Sequence, residues 1–192
     1  DMDLKEKARQ DHIPIIQDDG LAFLLSFLAE HLEIQSILEI GTAIGYSAIQ
    51  MANVRFDMCV DTLEIDPKRY KQALENIQNA QLEDRIHVYL EDAANFKSHQ
   101  DYDFIFVDAA KAQYARYVEH FIRNSHIGTY FMFDNVEFHG LVEDDSKTKN
   151  RGTKQLVHKI QKFQERLKKD SRFHTDFYLE IGDGLAVSKR IR

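Results

Sequence analysis

Five acidic residues in this 192-residue chain share one setting: Glu39, Glu64, Asp92, Asp108 and Asp134 each stand at or just beyond the end of a short apolar run. If those runs are strands of an open α/β sheet, the acids lie where such sheets bind ligands, beyond the strands' carboxyl ends. The first run leads into Glu39-Ile-Gly41-Thr-Ala-Ile-Gly45-Tyr-Ser47. This Gly-x-x-x-Gly spacing is neither the dinucleotide fingerprint nor a phosphate loop, so a pyrophosphate cradle is not expected. The glycines let a ligand approach the backbone, and the amides at the helix start, with the Ser47 hydroxyl, would hold a carboxylate. Glu39 would receive an ammonium, because a carboxylate inside Ile37-Leu38-Glu39-Ile40 is costly to bury without a partner. Glu64 ends the second run 23 residues beyond Gly41, where a carboxylate can accept both hydroxyls of a ribose. An amino acid joined to a ribose points to S-adenosylmethionine.

A second set is Asp108 in FVDAAK with Asp134 and Asn135 in MFDN. Three oxygen donors without His or Cys select a hard cation, magnesium ahead of calcium or manganese. Lys111, three residues after Asp108, would sense that cation's charge, which depresses an amine's pKa and suits it to act as a base. Each acid taken alone is equally a helix cap. Taken together they favour a site.

The elements that must position these residues follow from periodicity. Residues 15–33 carry Leu21, Leu24, Leu25 and Leu28 at helical spacing. The segments 36–41, 58–64, 86–91, 103–109 and 129–135 read as strands buried on both faces, with helical patterns between most of them, so a mostly parallel sheet with helices on both faces is expected. Pro67 marks a helix start. Residues 150–169 read as a long basic helix, and the tail as two strands joined at GDG (182–184), an antiparallel hairpin at one sheet edge. The whole is expected to be one domain, 1–33 an N-terminal helical segment and 34–192 the core.

Composition narrows the classes. The longest nearly continuous apolar run, 21–29, is too short for a bilayer, so no membrane partner is expected. One cysteine, Cys59, excludes an intrachain disulfide framework and makes a reducing, cytoplasmic setting the default. The first residues lack the pattern of a secretory leader. The net charge is −7, yet residues 147–172 hold ten Lys/Arg against Glu165 and Asp170, a local +8 that leaves −15 elsewhere. Lys147, Lys149, Arg151 and Lys154 follow the second acidic set closely and are candidate phosphate contacts to RNA. A solvated helix face accounts equally well for Lys159, Lys162, Arg166, Lys168 and Lys169. Tyr114, Phe138 and His139 are candidates to stack a flipped-out base.

The string EIGTAIGYSAIQMA, the Glu64 of LEIDP, the Asp108 and Lys111 of VDAAK and the Asp134-Asn135 of FDNV resemble the metal-dependent, catechol-type O-methyltransferases of the class I S-adenosylmethionine fold. The resemblance extends from about Ile13 to Ile191. TAIGYSAI, NRGTKQL (150–156) and IGDGLAVSK (181–189) look most like the bacterial tRNA 5-hydroxyuridine methyltransferases within that family. It implies a Rossmann-like, seven-stranded fold, S-adenosylmethionine and magnesium as cofactors, and a homodimer. Glu39, Gly41, Gly45 and Ser47 would face the methionine part, Glu64 the ribose, and Asp92 with Ala93 the adenine edge, with Ile16 touching the cofactor. Asp108, beside the cofactor, would hold the metal with Asp134 and Asn135, and Lys111 would take the hydroxyl proton. The acceptor is expected to be 5-hydroxyuridine at the tRNA wobble position, with a small catechol-type molecule as the alternative and a non-catalytic cofactor- or RNA-binding module as the third reading. No equivalent is visible for the late glutamate that holds the second hydroxyl in the mammalian catechol enzyme.

Overall fold

The computed structural model of the chain describes residues 3–137, 141–142 and 149–192. Two helices, α1 (Leu4–Gln10) and α2 (Asp18–Glu30), precede an alternation of β1 (Ser36–Ile40), α3 (Tyr46–Ala52), β2 (Cys59–Glu64), α4 (Pro67–Asn79), β3 (Ile86–Leu90) and β4 (Tyr102–Val107). A 3₁₀ turn (Lys111–Gln113) leads into α5 (Tyr114–Phe121), then β5 (Ser125–Asp134), α6 (Arg151–Lys169), β6 (Phe173–Tyr178) and β7 (Leu185–Arg190).

The seven strands lie in the order β3-β2-β1-β4-β5-β7-β6. The first five are mutually parallel, and β7 runs antiparallel between β5 and β6. Side chains alternate faces along a strand, and the core divides accordingly. Ile37, Phe104, Phe106, Tyr130 and Met132 pack with α2 and α3 on one face. Leu38, Ile105, Val107, Phe131 and Phe133 pack with α5 and α6 on the other. Central strands covered on both faces need continuous apolar runs, which is why YDFIFV carries no surface alternation.

Local signals fix where helices begin. Asp66 caps α4 by accepting from the amides of Lys68 (2.7 Å) and Arg69 (3.2 Å), with Pro67 opening the helix. Asn150 caps α6 through the Thr153 amide at 3.0 Å. Two details depart from the expected pattern. Helix α1 is a short, polar element with one buried residue, Ala8, too little for a periodicity signal. Helix α2 begins at Asp18 rather than 15; residues 13–17 before it belong to no helix or strand. Leu21, Leu24 and Leu28 are buried as the stripe requires, and Leu25 is half-buried. Among the described residues no helix is long and apolar enough to cross a membrane.

Candidate active site

From β1 the chain winds outward through β2 to β3, and from β4 the other way to β5, so the strand order reverses between β1 and β4. Loops leave such a point in opposite directions and open a crevice. Here the crevice is a cavity of about 610 Å³. Gly41, Glu64, Asp92, Ala93, Asp108, Lys111, Asp134 and Asn135 all line it.

The two central loops touch through their backbones. Gly41 has φ +105°, and a Cβ there would lie 2.0 Å from the Asp108 carbonyl oxygen. Its amide donates to Leu63 O (3.0 Å) while the Asp108 amide donates to Ile40 O (3.0 Å). Gly41 is therefore required by the approach of β4 to β1 as much as by any ligand.

Glu64 is buried and accepts from three amides, Ala43 (2.8 Å), Ile65 (2.9 Å) and Asp66 (2.9 Å). A carboxylate offers about four acceptor positions, so a ribose gains two bonds only by displacing one of these donors. Replacing Glu64 with alanine is expected to weaken S-adenosylmethionine binding by about 1–3 kcal/mol, the scale of hydrogen bonds to a charged group. Calorimetry showing unchanged affinity would remove Glu64 from the site. Beyond it, Asp92 accepts from the Ala94 amide at 2.8 Å and holds the turn after β3 on the cavity wall.

At the other end Asp108 and Asp134 crowd together. Burial pushes the Asp108 carboxyl up to about 6 despite the opposing charge of Lys111. Burial and then the charge of Asp108 push Asp134 up to about 7. Asn135 adopts a left-handed φ of 60°, which asparagine tolerates better than most residues, and its Nδ2 faces Asp108 Oδ1 at 3.4 Å. Tyr114 donates to the Asp134 carbonyl at 2.6 Å. It is buried and cannot stack on an RNA base.

Four residues expected at the cofactor are not on the cavity wall. The Glu39 carboxyl accepts from the hydroxyls of Ser47 and, at 2.5 Å, Thr62. Those two donors supply the partner its burial demands. Burial nevertheless pushes it up to about 8, against the opposing effect of those hydroxyls. Ser47 is engaged in the same contact, Gly45 abuts Ala73 and Ile77 of α4, and Ile16 is buried against Gly20. Lys149, Arg151 and Lys154 are exposed and also lie off the wall. Lys147, Phe138 and His139 fall outside the described residues.

The cavity adds residues that the sequence did not single out: Pro14, Ile15, Gln17, Arg69, Arg116, Tyr117 and Asp183. Asp183 belongs to GDG, whose only local signal is a turn. Among the described residues no group of three or more His, Cys, Asp or Glu side chains is arranged to hold a metal. The candidate set is instead two carboxylates and a carboxamide.

A family model described as O-methyltransferase matches residues 3–191. A catechol O-methyltransferase of Niastella koreensis is 34% identical over 131 residues, 65% of this chain and 59% of that protein's length. A caffeoyl-CoA O-methyltransferase of Stellaria longipes is 28% identical over 88% of this chain and 73% of its own length. Among solved structures, a putative caffeoyl-CoA O-methyltransferase from Staphylococcus aureus superposes with a TM-score of 0.92 at 32% identity, covering 97% of this chain and 90% of that one. An O-methyltransferase from Bacillus cereus in complex with SAH gives 0.80 at 26% identity, covering 97% and 88%. The likeness holds over nearly all of the sequence and nearly all of the fold, so the chain belongs to the O-methyltransferase family, the S-adenosylmethionine-dependent proteins of the catechol and caffeoyl-CoA type.

Proposed function

We propose that this protein transfers the methyl group of S-adenosylmethionine to one hydroxyl of a small aromatic molecule that carries two vicinal oxygens. The observation that carries this reading is the division of one cavity into two halves. Acceptors suited to a nucleoside lie at the ends of β2 and β3 beside the close-approach Gly41 turn after β1, and oxygen donors for a hard cation at the ends of β4 and β5, with Lys111 on the same wall. The relatives named as catechol and caffeoyl-CoA enzymes act on acceptors of this kind.

The donor set fits a divalent cation, magnesium first. Two desolvated carboxyls, of which Asp108 raises the proton affinity of Asp134, are a poor pair without positive charge, and a cation would relieve both. Asp108 and Asp134 would hold it with the carboxamide oxygen of Asn135, which a half-turn of the amide presents in place of Nδ2. When bound, such a cation supplies the charge that acidifies a hydroxyl and fixes two neighbouring oxygens. Lys111 would take the hydroxyl proton. The oxygen then forms its bond to the methyl carbon as the carbon–sulfur bond breaks, and the electron pair stays on sulfur. Glu64, Asp92 and the Gly41 turn orient the cofactor, so the reaction gains from proximity rather than from a covalent intermediate.

The second reading is methylation of 5-hydroxyuridine at the tRNA wobble position, supported by the exposed cations Lys149, Arg151 and Lys154 at the start of α6. Phosphate contacts would make tRNA binding fall steeply with salt. On the preferred reading, neutralising two of these cations leaves kcat/KM for a catechol within about twofold, since exposed charges off the cavity have little effect on a neutral acceptor. A filter-binding series over salt concentration beside a catechol assay separates the two readings. A steep salt slope that flattens in the double variant, with tRNA as the better acceptor, would favour the RNA enzyme.

A further inference from the structure

We infer that residues 4–17 form a gate beside the cofactor half of the cavity, held shut by two clasps on the first turn of α2, and that S-adenosylmethionine enters and S-adenosylhomocysteine leaves when the clasps open. The gate concerns the cofactor alone and is the same whichever acceptor is methylated. Most of the cavity lining comes from strand ends and the turns that follow them. Pro14, Ile15 and Gln17 also line it, yet they belong to no helix or strand.

Little apolar surface seats this stretch. Ala8 and Ile16 are buried, while Leu4, Ile13 and Ile15 are only partly buried at the edge of the core. Gly20 gives Ile16 its seat, since a Cβ at Gly20 would lie 3.3 Å from Ile16 Cγ1. Between α1 and the cavity wall the Ile13 amide donates to Ala8 O at 2.8 Å. His12 turns the chain there with a φ of 53°, a left-handed conformation that a residue with a side chain holds at a cost. Segments with few buried contacts and exposed hydrogen bonds are those that open locally while the core stays folded.

Two neighbouring exposed acids close the gate. Asp18 Oδ1 meets the Lys5 ammonium of α1 at 2.5 Å, and Asp19 Oδ2 accepts from the Gly182 amide at 2.7 Å. The Gly182 bond, more than any other interaction, holds the Asp19 carboxyl below its ordinary range. Gln17 packs on the same turn, with its Cβ 3.8 Å from where a Cβ of Gly182 would stand. The turn itself is fixed. The Val136 amide donates to Gly184 O (3.0 Å) and the Glu137 amide to Asp183 O (2.9 Å), which bind it to the chain leaving β5. At the other clasp the charges of Lys5 and Asp18 act on the hydroxyl of Tyr46, the first residue of α3. The closed gate therefore lies against the start of α3, beside the 41–45 turn that the methionine part of the cofactor must reach.

Such a gate has a kinetic signature. A clasp made alike in the free and the liganded closed states sets how often the gate opens and not how tightly the ligand is held, so weakening it speeds entry and exit by the same factor. A residue that touches the ligand changes exit and affinity instead.

The test uses the full chain with S-adenosylhomocysteine as the probe, its association and dissociation followed by surface plasmon resonance. Asp19→Ala is expected to raise both rate constants about fivefold, the scale of one exposed hydrogen bond to a charged group, and to leave Kd within about twofold of the parent's. Lys5→Ala is expected to act in the same sense by about twofold, as the loss of an exposed ion pair would. In hydrogen exchange, S-adenosylhomocysteine should slow the parent's amides between residues 7 and 13 at least about tenfold, and Asp19→Ala should speed them in the free protein while the amides of β1 and β4 keep the parent's rates. Dissociation that rises alone, with weaker affinity, overturns the inference, because Asp19 then belongs to the ligand site. So do association and dissociation rates that stay unchanged in both variants. Faster exchange in β1 and β4 overturns it as well, because Asp19 then supports the fold rather than the gate.

Discussion

Replacing Gly41 with alanine is expected to remove cofactor binding and methyl transfer together and to lower the melting temperature by roughly 10 °C. Two costs act at once. A side chain at φ +105° is strained wherever it stands, and its Cβ would sit 2.0 Å from the Asp108 carbonyl oxygen, a backbone atom that no rotamer change can move. The ends of β1 and β4 must separate, and with them the cofactor turn and the first cation donor. A destabilisation of about 4 kcal/mol is at the upper end for single substitutions, and in a chain of this size each kcal/mol shifts the midpoint by about 2–4 °C. Gly152→Ala is the control. Gly152 lies in α6 without a positive φ, a Cβ there meets only the Asn150 cap oxygen at 3.3 Å, and alanine is expected to change stability by no more than about 1 kcal/mol. A Gly41→Ala protein that melts and binds like its parent would mean that the two loops do not meet through their backbones.

Asp134→Asn is expected to lower methyl transfer by about 10³-fold or more, equivalent to about 4 kcal/mol of transition-state stabilisation. Its S-adenosylmethionine affinity should remain within about twofold of the parent's, because β1 and β4 lie between Asp134 and Glu64. Stability should move the opposite way to activity in metal-free protein. Burial and the charge of Asp108 push the folded Asp134 carboxyl up to about 7, well above its value of about 3.9 in an unfolded chain. Between those limits the unfolded chain has lost a proton that the folded protein still holds, so rising pH disfavours folding across that window. The contribution is complete below pH of about 4 and is lost as the pH climbs through about 7. The asparagine variant carries no such loss. Its stability relative to the parent is expected to rise from acid to neutral pH, as read by urea unfolding at several pH values in EDTA. A variant whose stability relative to the parent stays level or falls over the same window would contradict the strained pair.

These effects separate what the sequence makes legible from what it hides. Acids at the ends of apolar runs are a local pattern, so Glu64, Asp92, Asp108, Asp134 and Asn135 could be placed at one edge of the sheet before any coordinates. Pairings between distant segments are not local. Glu39 was expected to await an ammonium because a carboxyl in an apolar run needs a partner. Its partner Thr62 stands beside it through the β1–β2 register, Glu39 opposite Thr62, which no spacing in the chain announces. Asp183 was hidden for the same reason, since GDG reads only as a turn until β7 inserts between β5 and β6. The turn itself is wider than GDG, with residues 179–184 between the two strands. Helical periodicity beginning at 15 concealed the irregular residues 13–17, whose Pro14, Ile15 and Gln17 line the cavity instead of continuing α2.

The most direct measurement offers the protein S-adenosylmethionine labelled in its methyl group and three acceptors in parallel: catechol, phenol and undermodified tRNA, each with magnesium and with excess EDTA. Mass spectrometry then shows where the label goes. Label is expected in catechol monomethyl ether with magnesium, with little in phenol, which lacks the second oxygen, and little in any acceptor under EDTA. Full transfer to catechol in EDTA, transfer to phenol as fast as to catechol, or label chiefly in tRNA would contradict a cation-assisted methyl transfer to small vicinal-oxygen acceptors.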